Sequence, residues 1–304
     1  MTLKEEFIKL GYTEEDYEII RNNYAVNQIK DETLIKKLKD NFAFLLKMGY
    51  TKEEVIKMTK SSPQIYSYSI ENMKQKIEDM ITLGYTKEEV IKMTKILPSI
   101  YGFSIESMKQ KIEDMITLGY TKEEVIKITK GIPTIYNLSI ETIKRKIEDI
   151  ITLGYTKEEI IKMTKNIPQI YGLSIENMKQ KIEDIISLGY TKEEVIKMTK
   201  NSPAIYGYSI ENMRQKIDFY DSIDMHELAV IDSKKLMQSV NLSYARYSFY
   251  KDRGIDIDMN NYRKLFDGQK NFEKAYRITK KELLEKYDYN KYKEEKEKEN
   301  GRII

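Results

Sequence analysis

Hydrophobic and polar positions along this chain follow one pattern written five times between residues 49 and 223. In the first copy, Val55, Ile56 and Met58 mark the apolar side of a first helix. Ile70, Met73, Ile77, Met80 and Ile81 then recur at helical spacing in a second. The string Gly-Tyr-Thr-Lys-Glu-Glu opens each copy, at Gly49, Gly84, Gly119, Gly154 and Gly189, so the period is 35 residues. Thr51 with Glu54 three residues on is a capping box and starts the first helix at Lys52. Pro63 ends it, because proline lacks an N–H and drives the preceding residue out of helical geometry. Its counterparts Pro98, Pro133, Pro168 and Pro203 complete the prolines of the chain. A single tight turn over Pro-Gln-Ile-Tyr follows, Ser69 caps the second helix and Gly84 closes it. A unit of this kind cannot bury its apolar face alone, so the units must stack. The expected fold is all-α, a superhelical solenoid of helix-turn-helix repeats.

The flanks carry decayed copies of the same pattern. Residues 1–48 read as a divergent capping unit: Gly11-Tyr12-Thr13-Glu14-Glu15 repeats the opening string, 38 residues before the next one and with no proline after it. Residues 224–288 read as a divergent last repeat with closing helices. There Ser239 to Gly254 keeps the Ser69-to-Gly84 spacing, and NYRKLF and then KKELLEKY, capped by Thr279 with Glu282, are the helices that follow. The charged tail 289–304 has few apolar residues and is expected to be disordered.

Composition narrows the function classes. With no cysteine and one histidine, His226, the chain lacks thiolate or imidazole clusters for a metal and a histidine-based triad. No glycine-rich phosphate loop or nucleophile elbow is present, and the acidic residues recur as capping and pairing positions. The expectation is a protein without catalytic residues, cofactor or metal. No apolar run approaches membrane-spanning length. The start, MTLKEEFIKLGYT, resembles neither a signal nor a transit peptide, and with the missing cysteines this fits a reduced intracellular setting, the cytoplasm ahead of an organelle. Net charge is +3, divided as −1 over residues 1–48, +1 over the five repeats and +3 over 224–304. Any polyanion-binding face must therefore arise from segregation of charge within the units.

The grammar of the unit resembles the mitochondrial transcription termination factor (mTERF) family: a glycine, a capped helix of the form EEVIKM, a proline, a short IY turn, and a second helix opened by S-I-E-x-M-K-x-K-I. The resemblance runs from residue 11 to about 288 and includes Tyr244 to Tyr250 and Lys281 to Tyr287. Two features depart from it: Gln75, Gln110, Arg145, Gln180 and Gln215 stand where the family often has proline, and there is no presequence. The resemblance implies a curved superhelix whose concave side binds nucleic acid, with duplex DNA ahead of RNA and transcription termination or regulation as the role.

Lys76, Lys111, Lys146, Lys181 and Lys216, continued by Arg246, match a basic position in the family's second helix. On a helical wheel they flank the apolar stripe, where a ladder of cations could follow a phosphate backbone; their plainer reading is a solvated face neutralised by neighbours such as Glu78 and Asp79. A second basic column, Lys74, Lys109, Lys144, Lys179 and Arg214, lies on the other flank. Asn72, Ser107, Thr142, Asn177 and Asn212 vary between otherwise near-identical copies and are candidates for base readout, against simple drift of exposed positions. The tyrosines Tyr66, Tyr101, Tyr136, Tyr171 and Tyr206 fit packing between helices better than base stacking. Tyr244, Arg246, Tyr247, Phe249, Tyr250, Lys251 and Arg253 form the densest local candidate for a contact surface. The near-neutral repeats keep a second class open, a protein-interaction scaffold with a protein partner and no nucleic acid. No membrane or small-molecule substrate is expected.

Overall fold

The structure, a computed structural model, describes residues 2–300. Among them there are helices and turns and no strand. The chain divides into two compact units, one formed by Met1–Asp149 with Thr164–Gly172 and the other by Ile150–Met163 with Leu173–Ile304.

Each repeat is an A helix, a 3-10 turn and a B helix. The A helices are Lys52–Ser61, Lys87–Ile96, Lys122–Gly131, Lys157–Asn166 and Lys192–Asn201. The B helices are Ile70–Leu83, Ile105–Thr117, Ile140–Thr152, Ile175–Ile186 and Ile210–Asp221. Local chemistry sets these boundaries. Thr51 Oγ1 accepts from the Glu54 N–H at 3.2 Å while Glu54 accepts from the Thr51 N–H at 2.9 Å, closing the capping box, and the same reciprocal pair recurs at Thr86, Thr121, Thr156 and Thr191. Such a cap contributes about 1 kcal/mol. Ser62, forced extended by Pro63, breaks the helix, and Pro63–Ser67 forms the 3-10 turn. At the far end Gly84 takes φ +117°, a left-handed conformation that a side chain would strain.

In the first unit Lys87–Ile96 packs on Lys122–Gly131 and Ile70–Leu83 on Ile105–Thr117, and in the second Ile175–Ile186 packs on Ile210–Asp221. Between the layers lie Val55, Met58, Ile65, Met73, Ile77 and Met80 and their counterparts, all buried. Each such side chain stabilises the stack by roughly 1.5–3 kcal/mol.

Residues 2–48 form four helices, Leu3–Leu10, Glu14–Arg21, Tyr24–Asn27 and Asp31–Lys47. Beyond the repeats the A helix shrinks to Leu228–Ile231, followed by a B helix at Val240–Lys251. Two expectations are corrected. NYRKLF contains a 3-10 turn, Tyr262–Phe266, and the next full helix is Gln269–Tyr276. The tail is a helix over Tyr289–Asn300, because two tyrosines anchor it: Tyr289 is buried and donates to the Gln215 carbonyl at 3.2 Å, and Tyr292 stacks on Tyr244 at 4.8 Å. The end of that expected disordered segment, residues 301–304, lies outside the described residues.

Candidate nucleic-acid interface

The lysine ladder faces the neighbouring repeat rather than solvent. Lys76 and Lys111 are buried, and their ammonium groups donate to the carbonyls of Phe103 and Leu138, the residues just before the cap of the next B helix. Lys181 repeats the bond, to Tyr208 O at 2.6 Å. Lys216 is fully buried and donates to Ser243 Oγ at 2.9 Å, and Arg246 is buried with Nη1 on Leu265 O at 3.0 Å and Nη2 on Gln269 Oε1 at 3.1 Å. Lys146 holds the same helical position, half-buried. Burial pushes the Lys76 and Lys111 ammoniums below the usual lysine range, against the opposing pull of Asp79 and Glu106 or Asp114 and Glu141. Lys216, with no carboxylate acting on it, is pushed down to about 7. The phosphate-contact role expected of Lys76, Lys111, Lys181, Lys216 and Arg246 is thus corrected to a structural one. A carbonyl exposed between a 3-10 turn and a capped helix needs a donor, and a long side chain emerging beside the apolar seam reaches it.

Two further bonds join successive repeats. Tyr12, Tyr85, Tyr120 and Tyr155 each place their hydroxyl 2.6–2.7 Å from the threonine of the next A helix, Thr59, Thr129, Thr164 and Thr199. Tyr50 pairs likewise with Thr94. The same hydroxyls bond Tyr66, Tyr101, Tyr136, Tyr171 and Tyr206, so the tyrosine column belongs to the core and not to a stacking platform. Thr59 Oγ1 already donates to Val55 O at 2.8 Å. It therefore accepts from Tyr12, whose oxygen accepts from Tyr66, and every hydroxyl proton is used. Burial raises these phenols, Tyr12 to about 12. The third bond is an ion pair at 2.6–2.7 Å from Lys95, Lys130, Lys165 and Lys200 to the capping-box glutamates Glu54, Glu89, Glu124 and Glu159. One carboxylate thus closes its own helix and holds the next, which lowers its pKa.

With those groups committed, the exposed charge separates by helix. The A helices expose Lys52, Lys57, Lys87, Lys92, Lys122 and Lys127 in the first unit and Lys157, Lys162, Lys192 and Lys197 in the second. None of the ten forms an ion pair among the described residues. Opposite each pair stands one exposed, uncommitted acid, Glu53 in the first copy. The B helices expose Glu71 and Glu78 against Lys74, with the half-buried Asp79 held by Gln75 at 2.9 Å. The exposed charge is therefore net basic on each A helix and net acidic on each B helix except Ile140–Thr152, where Lys144 and Arg145 balance Glu141 and Glu148. Asn72, Ser107, Asn177 and Asn212 are exposed and Thr142 is half-exposed, one turn before each ladder lysine. Ser107 and Thr142 are turned onto their own caps, Ser104 O at 2.8 Å and Ser139 Oγ at 3.0 Å. Arg253 is exposed, with its guanidinium 3.5 Å from the centre of the Phe249 ring.

The A-helix lysines were not singled out from the sequence. Their signal was present in it: Lys57 lies opposite Val55 and Met58 on the wheel, far from the seam, whereas Lys76 borders it. Among the described residues no cluster of histidine and carboxylate side chains could hold a metal, and no helix is long and apolar enough to cross a membrane.

Fold and repeat grammar together define a helical-repeat protein, built by stacking one unit. The model of the mTERF family matches residues 28–117 and 110–229, together more than half of the chain, and the chain belongs to that family. Its members are in general nucleic-acid-binding, non-enzymatic helical solenoids. No curated protein matches the chain.

Proposed function

We propose that this protein binds duplex DNA through the lysines of its A helices and regulates or terminates transcription by occupying the site. The observation that carries this reading is the set of ten exposed A-helix lysines free of ion pairs, two per repeat, on a surface whose other lysines are consumed by repeat-to-repeat bonds. Counter-ion release from phosphates would supply the affinity. Any base preference would come from the exposed Asn72, Asn177 and Asn212, whose amides carry both donors and acceptors.

Fluorescence anisotropy against labelled duplex DNA and single-stranded RNA, titrated with salt, tests the reading. Engagement of about five phosphates gives a log–log slope of roughly −4 to −5 on duplex. Tighter binding to RNA would move the target class, and no binding to either polymer at low salt would remove the reading. The net-acidic exposed charge of the B helices other than Ile140–Thr152 favours a second reading, a basic protein partner, which a charge-reversed Glu71→Lys, Glu78→Lys variant would release in a pull-down.

A further inference from the structure

The aromatic and basic cluster of the last repeat is split by the fold. Arg246, Phe249 and Tyr250 turn into the core. Tyr244, Tyr247 and Lys251 instead line a cavity of about 330 Å³, closed by Phe219 on one side and by Tyr287 and Tyr292 of the C-terminal segment on the other. Phe219 meets both Tyr244 and Tyr247 edge-on at 6.1 Å, which fixes those rings. Tyr244 and Tyr292 are stacked at 4.8 Å and 28°, so one wall is already a paired aromatic surface. Lys251 is exposed at the rim, 5.8 Å from the centre of the Tyr247 ring, and forms no ion pair among the described residues.

We propose that this cavity binds a single unpaired nucleotide, with the base against Tyr247 and its phosphate on Lys251. The site takes its nucleotide from the nucleic acid of the reading above and rests on that reading for its source. Its volume lies at the low end of ligand sites, enough for one nucleotide and too small for a base pair. Aromatic faces accept any base, and a neighbouring ammonium supplies the phosphate contact. Ser222 and Ser248 add hydroxyls at the lining, where a base edge presents donors and acceptors. A cationic ligand fits worse. The one carboxylate of the lining, Asp252, already accepts from the Tyr287 hydroxyl at 2.6 Å and lies 3.7 Å from Lys286. Among the lining residues the unpaired Lys251 ammonium therefore has no free acid to balance it, while Asp288 and Glu295 of the C-terminal segment act on the cavity from beside Tyr244.

The test titrates adenosine and cytidine monophosphates by calorimetry, and by anisotropy compares a blunt duplex with the same duplex carrying a short single-stranded overhang. Wild type should bind the monophosphates and prefer the overhang. Tyr247→Ala should weaken both by about tenfold, with Tyr247→Phe retaining binding and the exposed Lys251→Gln weakening the monophosphates and leaving the fold intact. Unchanged binding in both Tyr247→Ala and Lys251→Gln, or no preference for the overhang in wild type, overturns the pocket. Loss of blunt-duplex binding with retained monophosphate binding would instead sink the duplex reading and leave the pocket standing.

Discussion

The junctions inside the repeat array and the junction that closes it solve one problem with different chemistry. Inside the array, a lysine donates to a backbone carbonyl, a tyrosine bonds a threonine and a second tyrosine, and a lysine pairs with the capping glutamate. At the closing junction all three are replaced. Lys216 meets a hydroxyl and the rings of Tyr220 and Phe266, and Tyr190 donates to the His226 carbonyl at 3.1 Å and stacks on its ring at 4.3 Å. Val230 stands where Lys200 does one repeat earlier, so the lysine partner of Glu194 is gone, while Lys235, in the 3-10 turn, lies by Asp232 and the face of Phe266. The array satisfies each polar group because every unit meets a copy of itself. The closing unit meets a different surface and fills it with aromatic rings, and there Tyr220 Oη and Arg246 Nε lie buried without a hydrogen-bond partner.

This difference predicts opposite signs for one substitution at two equivalent places. Lys111→Met leaves the Leu138 carbonyl without its donor and should lower stability by about 1–3 kcal/mol. Lys216→Met removes a fully buried cation whose one hydrogen-bond partner is a hydroxyl, with the Tyr220 and Phe266 rings 5.9 and 6.0 Å away, and should be neutral or stabilising by roughly 1–3 kcal/mol. Urea melts of the two variants check the pair, and equal losses would erase the distinction.

A pH series sharpens it. The folded pKa of Lys216, about 7, lies below the ordinary value of about 10.4 that the unfolded chain keeps. Between those values the unfolded state binds the extra proton, so stability should rise with pH, by up to about 1.4 kcal/mol per unit. The buried tyrosines act in the other direction: their folded pKa values are raised, so their contribution is full below about pH 10 and falls as pH climbs through and beyond that of Tyr12, about 12. Chemical melts from pH 6 to 11 should show stability climbing and then collapsing, with the climb reduced in Lys216→Met to what Lys76 and Lys111, also pushed down, contribute.

Smaller effects belong to the array alone. Tyr120→Phe breaks the hydroxyl chain but leaves Thr164 and Tyr171 in place, and should cost about 0.5–1.5 kcal/mol. Lys95→Ala removes an ion pair about one-third exposed on each side and should cost about 0.2–1 kcal/mol, less at high salt. A double-mutant cycle with Glu54→Ala measures that coupling.

The elements were legible because their signals are local. Thr51 with Glu54, Pro63, Ser69 and Gly84 act within a few residues of themselves, and each boundary falls where they put it. The fate of Lys76 was not, because its partner is a carbonyl 27 residues away in the next repeat. A position beside the apolar stripe is open to solvent on an isolated helix and closed once the neighbour arrives. The helix over Tyr289–Asn300 was not legible for a related reason: Tyr289 and Tyr292 are too few to fold a helix alone, yet they suffice when Phe219 and Tyr244 are there to receive them.

The central claim is that the buried lysines of the Lys76 column hold repeats together while the exposed A-helix lysines of the Lys52 and Lys57 columns remain available to a polyanion. The most direct measurement is the salt slope of duplex-DNA binding for two double variants, each with a melt alongside. Lys57→Ala with Lys92→Ala should reduce the slope by about two units and leave stability within about 0.5 kcal/mol. Lys76→Met with Lys111→Met should leave the slope unchanged and lower the melting temperature. A slope that falls in the second variant and holds in the first would contradict the account and return the phosphates to the ladder.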